Sequence, residues 1–198
     1  MRVFVAVQID DQTRTTLSAA IDRLAIAVPL GVKWVEPNNL HITLKFLGEV
    51  DERELADLED ALATAAAAVT PFEASLKGLG AFPGTSKPRV VYGDMAAPSA
   101  LADLAREVDQ TLAGIGFPRE TRPFTPHVTI GRVRSPRRKR KQRRKEPRAV
   151  GDTVRSALTQ SPPVSCAPFR VEQLTLYQSV LGQHGPTYTV LTEVPLGA

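Results

Sequence analysis

The chain has 198 residues, of which 42% are hydrophobic, so it is long enough to bury a core as one domain or as two small lobes. No apolar run approaches the ~20 residues of a membrane span, and the single cysteine, Cys166, excludes an internal disulfide and any multi-cysteine metal site. The net charge is +4, but residues 134–148 hold ten of the lysines and arginines, and the remainder carries 15 basic and 20 acidic residues, which excludes a uniformly basic surface.

The first half of the chain alternates strand and helix patterns. β-Branched runs predict strands, and apolar residues at helical spacing predict helices. Asp51, with Glu54 three residues later, has the pattern of a capping box at a helix start. The predicted elements are a strand at 2–9, a helix at 11–28, strands at 32–35 and 40–47, a helix from 51 to about 69, and strands at 72–79 and 89–95.

The second half repeats this order. Ser99 is predicted to cap a helix that runs to about residue 112. A strand at 124–133 follows, then a polar segment with helical tendency that reaches residue 160, and finally strands at 169–179 and 187–194. Strands joined largely as meanders, with helices between them, predict an α+β fold. The apolar N-terminus is interrupted by Gln8 and Asp10 and has no small-residue cleavage site, so we interpret it as a first strand, not a signal sequence, and expect a cytoplasmic protein.

One four-residue pattern occurs twice, each time in a predicted strand. The copies are His41-Ile42-Thr43-Leu44 and His127-Val128-Thr129-Ile130, and the chain has only three histidines. Residues two apart in a strand share a face, so each copy presents an imidazole and a hydroxyl together. Histidine titrates near neutral pH, so a pair can act as the acid and the base of a hydrolysis. The pattern predicts two catalytic histidines, His41 and His127.

Three further residues are candidates for binding a phosphate. Thr43 and Thr129 lie on the histidine face of their strands, where their hydroxyls can donate to phosphate oxygens. Strict alternation turns Arg132 away from His127, but Gly131 between them permits a bulge that turns it back. A guanidinium there offers two-point contact to a phosphate. Lys45 is expected on the face of His41 and Thr43, where it either adds positive potential or is solvated.

A metal site at these motifs is not expected. No third ligand-type residue recurs at metal-binding spacing near either copy. His184 lies in a predicted turn without a threonine partner, and we interpret it as a plain loop residue. No cofactor is expected.

The basic run follows directly after the second motif. So dense a charge repels itself, which indicates a mobile loop over 134–148. Its position beside the predicted phosphate site makes it a candidate for contacts with the RNA backbone, although a solvated surface loop explains it equally well. The candidate residues are Arg137, Arg138, Lys139, Arg140, Lys141, Arg143, Arg144 and Lys145.

The order and spacing of several stretches resemble the two-histidine (2H) phosphoesterases, and within them the RNA 2′,3′-cyclic phosphodiesterases of the LigT-like, 2′-5′ RNA ligase family. The matching stretches are 2–6, 33–35 leading into 40–48, 82–83 with 88–91, 124–132 and 185–188. The basic segment is longer and more charged than the family leads one to expect. The resemblance implies one bilobal domain over 1–198, in which two pseudo-symmetric antiparallel sheets flanked by helices line a central cleft.

The resemblance also implies a chemistry. It is metal-independent hydrolysis of an RNA 2′,3′-cyclic phosphate end to the 2′-phosphate, with His41 as proton donor, His127 as proton acceptor and Arg132 on the phosphate. Two alternatives stay open: ligation, in which a 5′-hydroxyl replaces water and a 2′-5′ linkage forms, and a non-catalytic RNA-binding module that relies on the basic segment. The expected partner is RNA ending in a 2′,3′-cyclic phosphate, with no membrane, and the expected state is a monomer.

Overall fold

The computed structural model describes residues 1–96, 99–134, 146–183 and 185–197. The helices are α1 (Asp11–Ala27), α2 (Leu55–Ala67), α3 (Ala100–Gly114) and α4 (Glu146–Gln160). The strands are β1 (Arg2–Gln8), β2 (Val32–Trp34), β3 (His41–Glu49), β4 (Phe72–Phe82), β5 (Val90–Ala96), β6 (His127–Val133), β7 (Phe169–Val171), β8 (Gln173–Leu181) and β9 (Pro186–Pro195). The α+β class predicted from the sequence is therefore confirmed.

All strand pairs among the described residues are antiparallel, and their order divides the curled sheet into two halves. The first half-sheet is β3-β1-β8-β9, and the second half-sheet is β6-β5-β4-β7 with the short β2 beside β6. The two halves join through β3 and β6, the strands that begin with His41 and His127. The joint therefore lies at the two repeated motifs.

The helices lie on one face of the sheet. α2 packs against α3, and these two contact β9 and β3, whereas α1 contacts α4 and β6. Alternation along β1 separates the two faces: Val3, Val5 and Val7 belong to the core under the helices, while Phe4 and Ala6 point to the other side. We call that other side, which carries the motif histidines, the open face. No helix among the described residues is long and apolar enough to cross a membrane.

Local sequence signals explain several of the boundaries. The capping box at Asp51 is present: its side chain accepts from the Arg53 amide (3.0 Å), and its own amide donates to Glu54 Oε2 (2.8 Å). The predicted cap at Ser99 is wrong in its detail, because Ser99 is itself helical and its side chain makes no capping hydrogen bond.

Two predicted strands have different limits in the structure. The strand predicted at 124–133 begins only at His127, and the one predicted at 169–179 divides into β7 and β8 at Glu172. β7 and β8 also pair with different partners. β7 lies beside β4, whereas β8 lies between β1 and β9. A continuous apolar pattern in the sequence does not reveal such a change of partner.

Candidate active site

The two motifs meet where the half-sheets join. Ile42 of β3 is paired with Val128 of β6. Because the strands are antiparallel, His41 lies beside Thr129, and Thr43 lies beside His127. Ile42 and Val128 are fully buried under the helices, so the imidazoles and hydroxyls lie on the open face. The structure thus brings together the four motif residues that the sequence predicts as a site.

A backbone carbonyl fixes the orientation of His41. Its Nδ1–H donates to the carbonyl oxygen of Asn39 (2.8 Å), because a carbonyl can only accept. In the neutral ring the proton is therefore on Nδ1, and Nε2 is the basic nitrogen. Nε2 lies 2.9 Å from the hydroxyl of Thr43, which donates to the neutral ring and accepts from the protonated one. The geometry leaves Nε2 as the atom that exchanges protons.

His127 repeats the arrangement in the second half-sheet. Its Nδ1–H donates to the carbonyl oxygen of Thr125 at 2.7 Å, again two residues before the histidine. Nε2 is again the basic nitrogen of the neutral ring. Within the described part of the chain, this Nε2 has no hydrogen bond, whereas that of His41 meets Thr43. The two imidazoles are thus held alike but differ in what their reactive nitrogens contact.

Both histidines favour the neutral form. Burial lowers the pKa of His41 from 6.5 to about 4; the Asn39 carbonyl opposes the shift, and the positive charges of His127 and Arg132 add to it. Burial likewise lowers the pKa of His127, with the Thr125 carbonyl opposing and the charge of Arg132 adding to the shift. Arg132 therefore acts electrostatically on both imidazoles.

The predicted bulge that reorients Arg132 is confirmed. Along β5 and β6, Tyr92 is paired with Thr129, but Val91 is paired with Gly131, so Ile130 is the extra residue. Arg132 returns to the open face as a result. Gly131 is required here, because a Cβ at that position would lie 2.7 Å from the Trp34 ring. The guanidinium is exposed and lies on the same face as both histidines.

Lys45 is not on the histidine face, and that prediction is wrong. Val5 is paired with Lys45 and Ala6 with Thr43, so Leu44 is an extra residue and the strand turns over between Thr43 and Lys45. Lys45 is buried under the helices instead, where its Nζ donates to Asp109 Oδ1 (2.5 Å) and to the Pro118 carbonyl (2.7 Å).

Asp109 accepts further hydrogen bonds from the loop that follows α3. They come from Arg119 Nε to Oδ2 (2.7 Å) and from the Glu120 amide to Oδ1 (3.0 Å). Burial raises the pKa of Asp109, but the hydrogen bonds from Lys45, Glu120 and Arg119 outweigh it and lower that pKa below its ordinary value. The cluster joins the first motif strand to the segment that leads to the second motif.

Aromatic rings flank both histidines, and sequence reasoning missed them. The His41 ring lies 4.9 Å from Phe4, 5.3 Å from Tyr188 and 6.2 Å from Tyr177, measured between ring centroids. The His127 ring lies 5.1 Å from Phe82 and 5.6 Å from Tyr92. The alternation along β1 predicts that Phe4 faces away from Val3 and Val5. The positions of the four other rings beside the histidines depend on the register between paired strands, which no local sequence pattern gives.

The two halves carry different side chains at the position five residues after each motif histidine. Arg132 lies five residues after His127, and Phe46 lies five residues after His41, each just beyond a bulge. Phe46 is 59% exposed, and its ring centroid lies 5.8 Å from that of Phe4 on the open face. One side of the paired motifs therefore offers a cation and the other an aromatic surface.

The remaining candidates lie outside the described residues. They are His184 and the basic residues Arg137, Arg138, Lys139, Arg140, Lys141, Arg143, Arg144 and Lys145.

Comparison with known proteins places this site in a family context. The model of the family "LigT like Phosphoesterase" matches residues 7–92 and 94–188, one motif in each part. The chain is 39% identical over 188 residues to the RNA 2′,3′-cyclic phosphodiesterase of Archaeoglobus fulgidus, covering 95% of this chain and 96% of that protein. It is 35% identical over 189 residues to the protein of that name from Methanothermobacter thermautotrophicus, covering 96% and 95%.

Solved structures show the same fold. A crystal structure of a Thermus thermophilus protein aligns with a TM-score of 0.77 and 31% identity, covering 99% of this chain and 98% of that one. The Escherichia coli protein LigT complexed with 3′-AMP aligns with a TM-score of 0.72 and 26% identity, covering 98% and 97%. The fold inferred from the resemblance is therefore confirmed, except that the two antiparallel sheets it implies are the halves of one curled sheet, joined through β3 and β6.

Proposed function

The chain belongs to the LigT-like phosphoesterase family, and on that premise we propose that it hydrolyses RNA 2′,3′-cyclic phosphate ends to 2′-phosphomonoesters. The observation that carries the proposal is the joint at Ile42 and Val128, which puts two imidazoles with matched orientation on one open face. A binding module has no need of two rings whose Nδ1 atoms are both held by backbone carbonyls. An acid–base pair does need this, because it presents both Nε2 atoms to the substrate.

The reaction is an in-line displacement at phosphorus. The Nε2 of His127 removes a proton from water, the water oxygen attacks the phosphorus, and the bond from phosphorus to O3′ breaks. The Nε2–H of protonated His41 donates its proton to O3′, so the phosphate stays on O2′. The open Nε2 of His127 suits the base, which must contact water. The bond between His41 and Thr43 suits the acid, because the hydroxyl holds the ring until O3′ accepts its proton.

Charge and hydroxyl groups stabilise the pentacoordinate state. Thr43 and Thr129 donate to the non-bridging oxygens, and the Arg132 guanidinium compensates for the negative charge that develops on them. The base of the terminal nucleotide then points toward the aromatic side, where Phe46 offers an exposed ring against which it can stack. The difference between Arg132 and Phe46 gives an otherwise symmetric site a direction.

Substrate binding changes the protonation of the histidines. Burial by the protein alone keeps both rings neutral near pH 7. A cyclic phosphodiester carries one negative charge, and an opposite charge close to an imidazole favours its protonated form. The phosphate anion therefore raises the pKa of both rings and supplies the condition under which His41 carries the proton that it donates.

A leaving-group experiment tests the division of roles. Bis(4-nitrophenyl) phosphate releases a nitrophenolate that departs without protonation, so it needs the base but not the acid. On this substrate, His41→Ala is expected to retain most of the wild-type kcat/KM, whereas His127→Ala loses about 10²–10⁴-fold. The reverse pattern would exchange the two roles, and equal losses would contradict the proposed division.

We also propose that the protein is a cytoplasmic monomer. The single cysteine provides no internal disulfide, which suits a reducing compartment. Both motifs come from one chain, so the site needs no second copy. Light scattering of the purified protein at catalytic concentration tests the oligomeric state, and a dimer mass would contradict it.

A further inference from the structure

The open face carries a second cation that the mechanism above does not use. Lys33 of β2 is paired directly with Arg132 of β6, so the two side chains leave the same face of the strand pair. Both are exposed, and neither takes part in an ion pair within the described ranges. Like charges directly opposite one another on neighbouring strands are destabilising. Such an arrangement is typical of a surface that binds anions.

Lys33 and Arg132 do not point to the same place. The charge of Arg132 lowers the pKa of both His41 and His127, whereas Lys33 is not among the charges of the described residues that act on either ring. The Nζ of Lys33 instead lies 3.3 Å from the position that a Cβ on Gly185 would occupy. The ammonium is therefore directed toward the turn between β8 and β9, whereas the guanidinium acts on the histidines.

That turn forms a defined rim beside the site. The amide of Gly182 donates to the Gly185 carbonyl (2.9 Å), and the amide of Gly185 donates to the Gly182 carbonyl (3.3 Å). Gly185 has φ +146°, where L side chains are rarely found, and a side chain there would also crowd Lys33. The next residue, Pro186, accepts from Asn39 Nδ2 (2.8 Å), and the Asn39 carbonyl orients His41.

We propose that Lys33 binds the phosphodiester on the 5′ side of the terminal nucleotide. The inference rests on the proposed function, in which His41, His127, Thr43, Thr129 and Arg132 hold the cyclic phosphate. An RNA end has one more phosphate next along the chain, whereas a cyclic mononucleotide has none. An exposed ammonium at the rim, beyond Arg132, matches that second phosphate. Lys33 then makes the enzyme favour RNA ends over free cyclic nucleotides.

The test compares two substrates that differ by one nucleotide. They are adenosine 2′,3′-cyclic phosphate and the dinucleotide ApA with a 2′,3′-cyclic phosphate end. In Lys33→Gln, the ratio of kcat/KM on the dinucleotide to that on the mononucleotide is expected to fall about three- to tenfold from the wild-type value, as for loss of one exposed charge-assisted contact. Lys33→Arg, which keeps the charge, should keep this ratio close to the wild-type value. A ratio that does not move, or equal losses on both substrates, would overturn the proposal.

The matched control removes a cation from the helix-covered side. Arg23 is exposed on α1, and Arg23→Gln should leave the ratio at its wild-type value. The affinities for the two products, adenosine 2′-phosphate and ApA 2′-phosphate, give a corresponding ratio that does not depend on catalysis. If wild-type protein hydrolyses neither substrate, the proposed function fails, while the ratio of product affinities in Lys33→Gln and wild type still decides the role of Lys33.

Discussion

Ile42 and Val128 are the residues through which the two half-sheets are paired in register, and each lies between the histidine and the threonine of its motif. Their burial beneath the helices fixes the direction of all four polar side chains on the other face. The joint of the fold and the centre of the candidate site are therefore the same residue pair. Because the strands are antiparallel there, one local arrangement is presented twice, in opposite directions, to one substrate.

The directions of the histidine pKa shifts predict an acidic optimum for kcat/KM. The active free enzyme holds one proton on the pair, with His41 protonated and His127 neutral. The histidine pair carries a single proton at pH values between its two pKa values. Burial lowers both pKa values below 6.5, that of His41 to about 4. Above the higher value the acid is lost, so kcat/KM should fall about tenfold per pH unit through neutral pH.

The pH profile of kcat should differ in a defined way. It reports the substrate complex, in which the phosphate anion raises both pKa values. The alkaline limb of kcat is therefore expected at higher pH than that of kcat/KM. Initial rates between pH 4 and 9 on a cyclic mononucleotide measure both profiles. A kcat/KM that stays constant from pH 7 to 9 would contradict the acid–base pair described here.

Replacement of Arg132 should affect both rate and pH dependence. Arg132→Met removes the guanidinium from the developing charge, and kcat/KM is expected to fall about 10²–10³-fold. Arg132→Lys should recover only part of it, because an ammonium cannot make the two-point contact. Since the charge of Arg132 lowers the pKa of both histidines, the alkaline limb of Arg132→Met should move to higher pH. A loss of rate without that movement would mean that Arg132 does not face the histidines.

The buried cluster at Lys45 predicts an unequal loss of stability. Asp109→Asn leaves the Lys45 ammonium buried with only neutral acceptors, the Asn amide oxygen and the Pro118 carbonyl, and should cost about 3–5 kcal/mol in the free energy of unfolding. Lys45→Met should cost less, because Arg119 and the Glu120 amide still compensate for the carboxylate. Urea denaturation measures both.

The control for that comparison lies on the same helix. Asp103→Asn breaks a more exposed pair with Arg106 on α3 and should change the free energy of unfolding by less than about 1 kcal/mol. If Lys45→Met proves the more destabilising of the two buried variants, the proposed balance of charges in the cluster is wrong.

The basic segment gives a prediction that depends on charge alone. If the basic residues of 137–145 grip the RNA backbone, each phosphate that they neutralise adds roughly 0.7 to the slope of log affinity against log salt for a single strand. Deletion of 137–145 should then flatten the salt dependence and raise KM for long RNA, while kcat on a cyclic mononucleotide stays nearly constant. Unchanged affinity for long RNA would indicate a solvated loop, and a large loss of kcat would place the segment in the active site.

The polar centre of the site could be predicted because it repeats. His41, Thr43, His127 and Thr129 recur at a spacing of two within apolar strands, and that spacing alone fixes which side chains share a face. The bulge before Arg132 could also be predicted, because glycine is disfavoured inside a strand unless the strand bulges or another group packs close to the backbone. Here the Trp34 ring is what approaches.

The rest depends on contacts between distant segments. Lys45 leaves the open face because of a bulge at Leu44, and no glycine marks that bulge; its buried partner, Asp109, is 64 residues away. The rings of Tyr177 and Tyr188 reach His41 only through pairing of β8 with β1 and β9. The carbonyls of Asn39 and Thr125 carry no side-chain signal at all. Register and backbone direction are products of the fold, and a single sequence does not state them.

The most direct test is the fate of an RNA oligonucleotide that ends in a 2′,3′-cyclic phosphate. The wild-type protein is expected to convert the end to a 2′-phosphate, and His41→Ala and His127→Ala should each lower kcat by about 10²–10⁴-fold while RNA affinity changes little. Analysis of the termini, together with equilibrium binding of the same RNA, measures both quantities. A product that carries only 3′-phosphate, no reaction by the wild type, or full activity in either histidine variant would contradict the account.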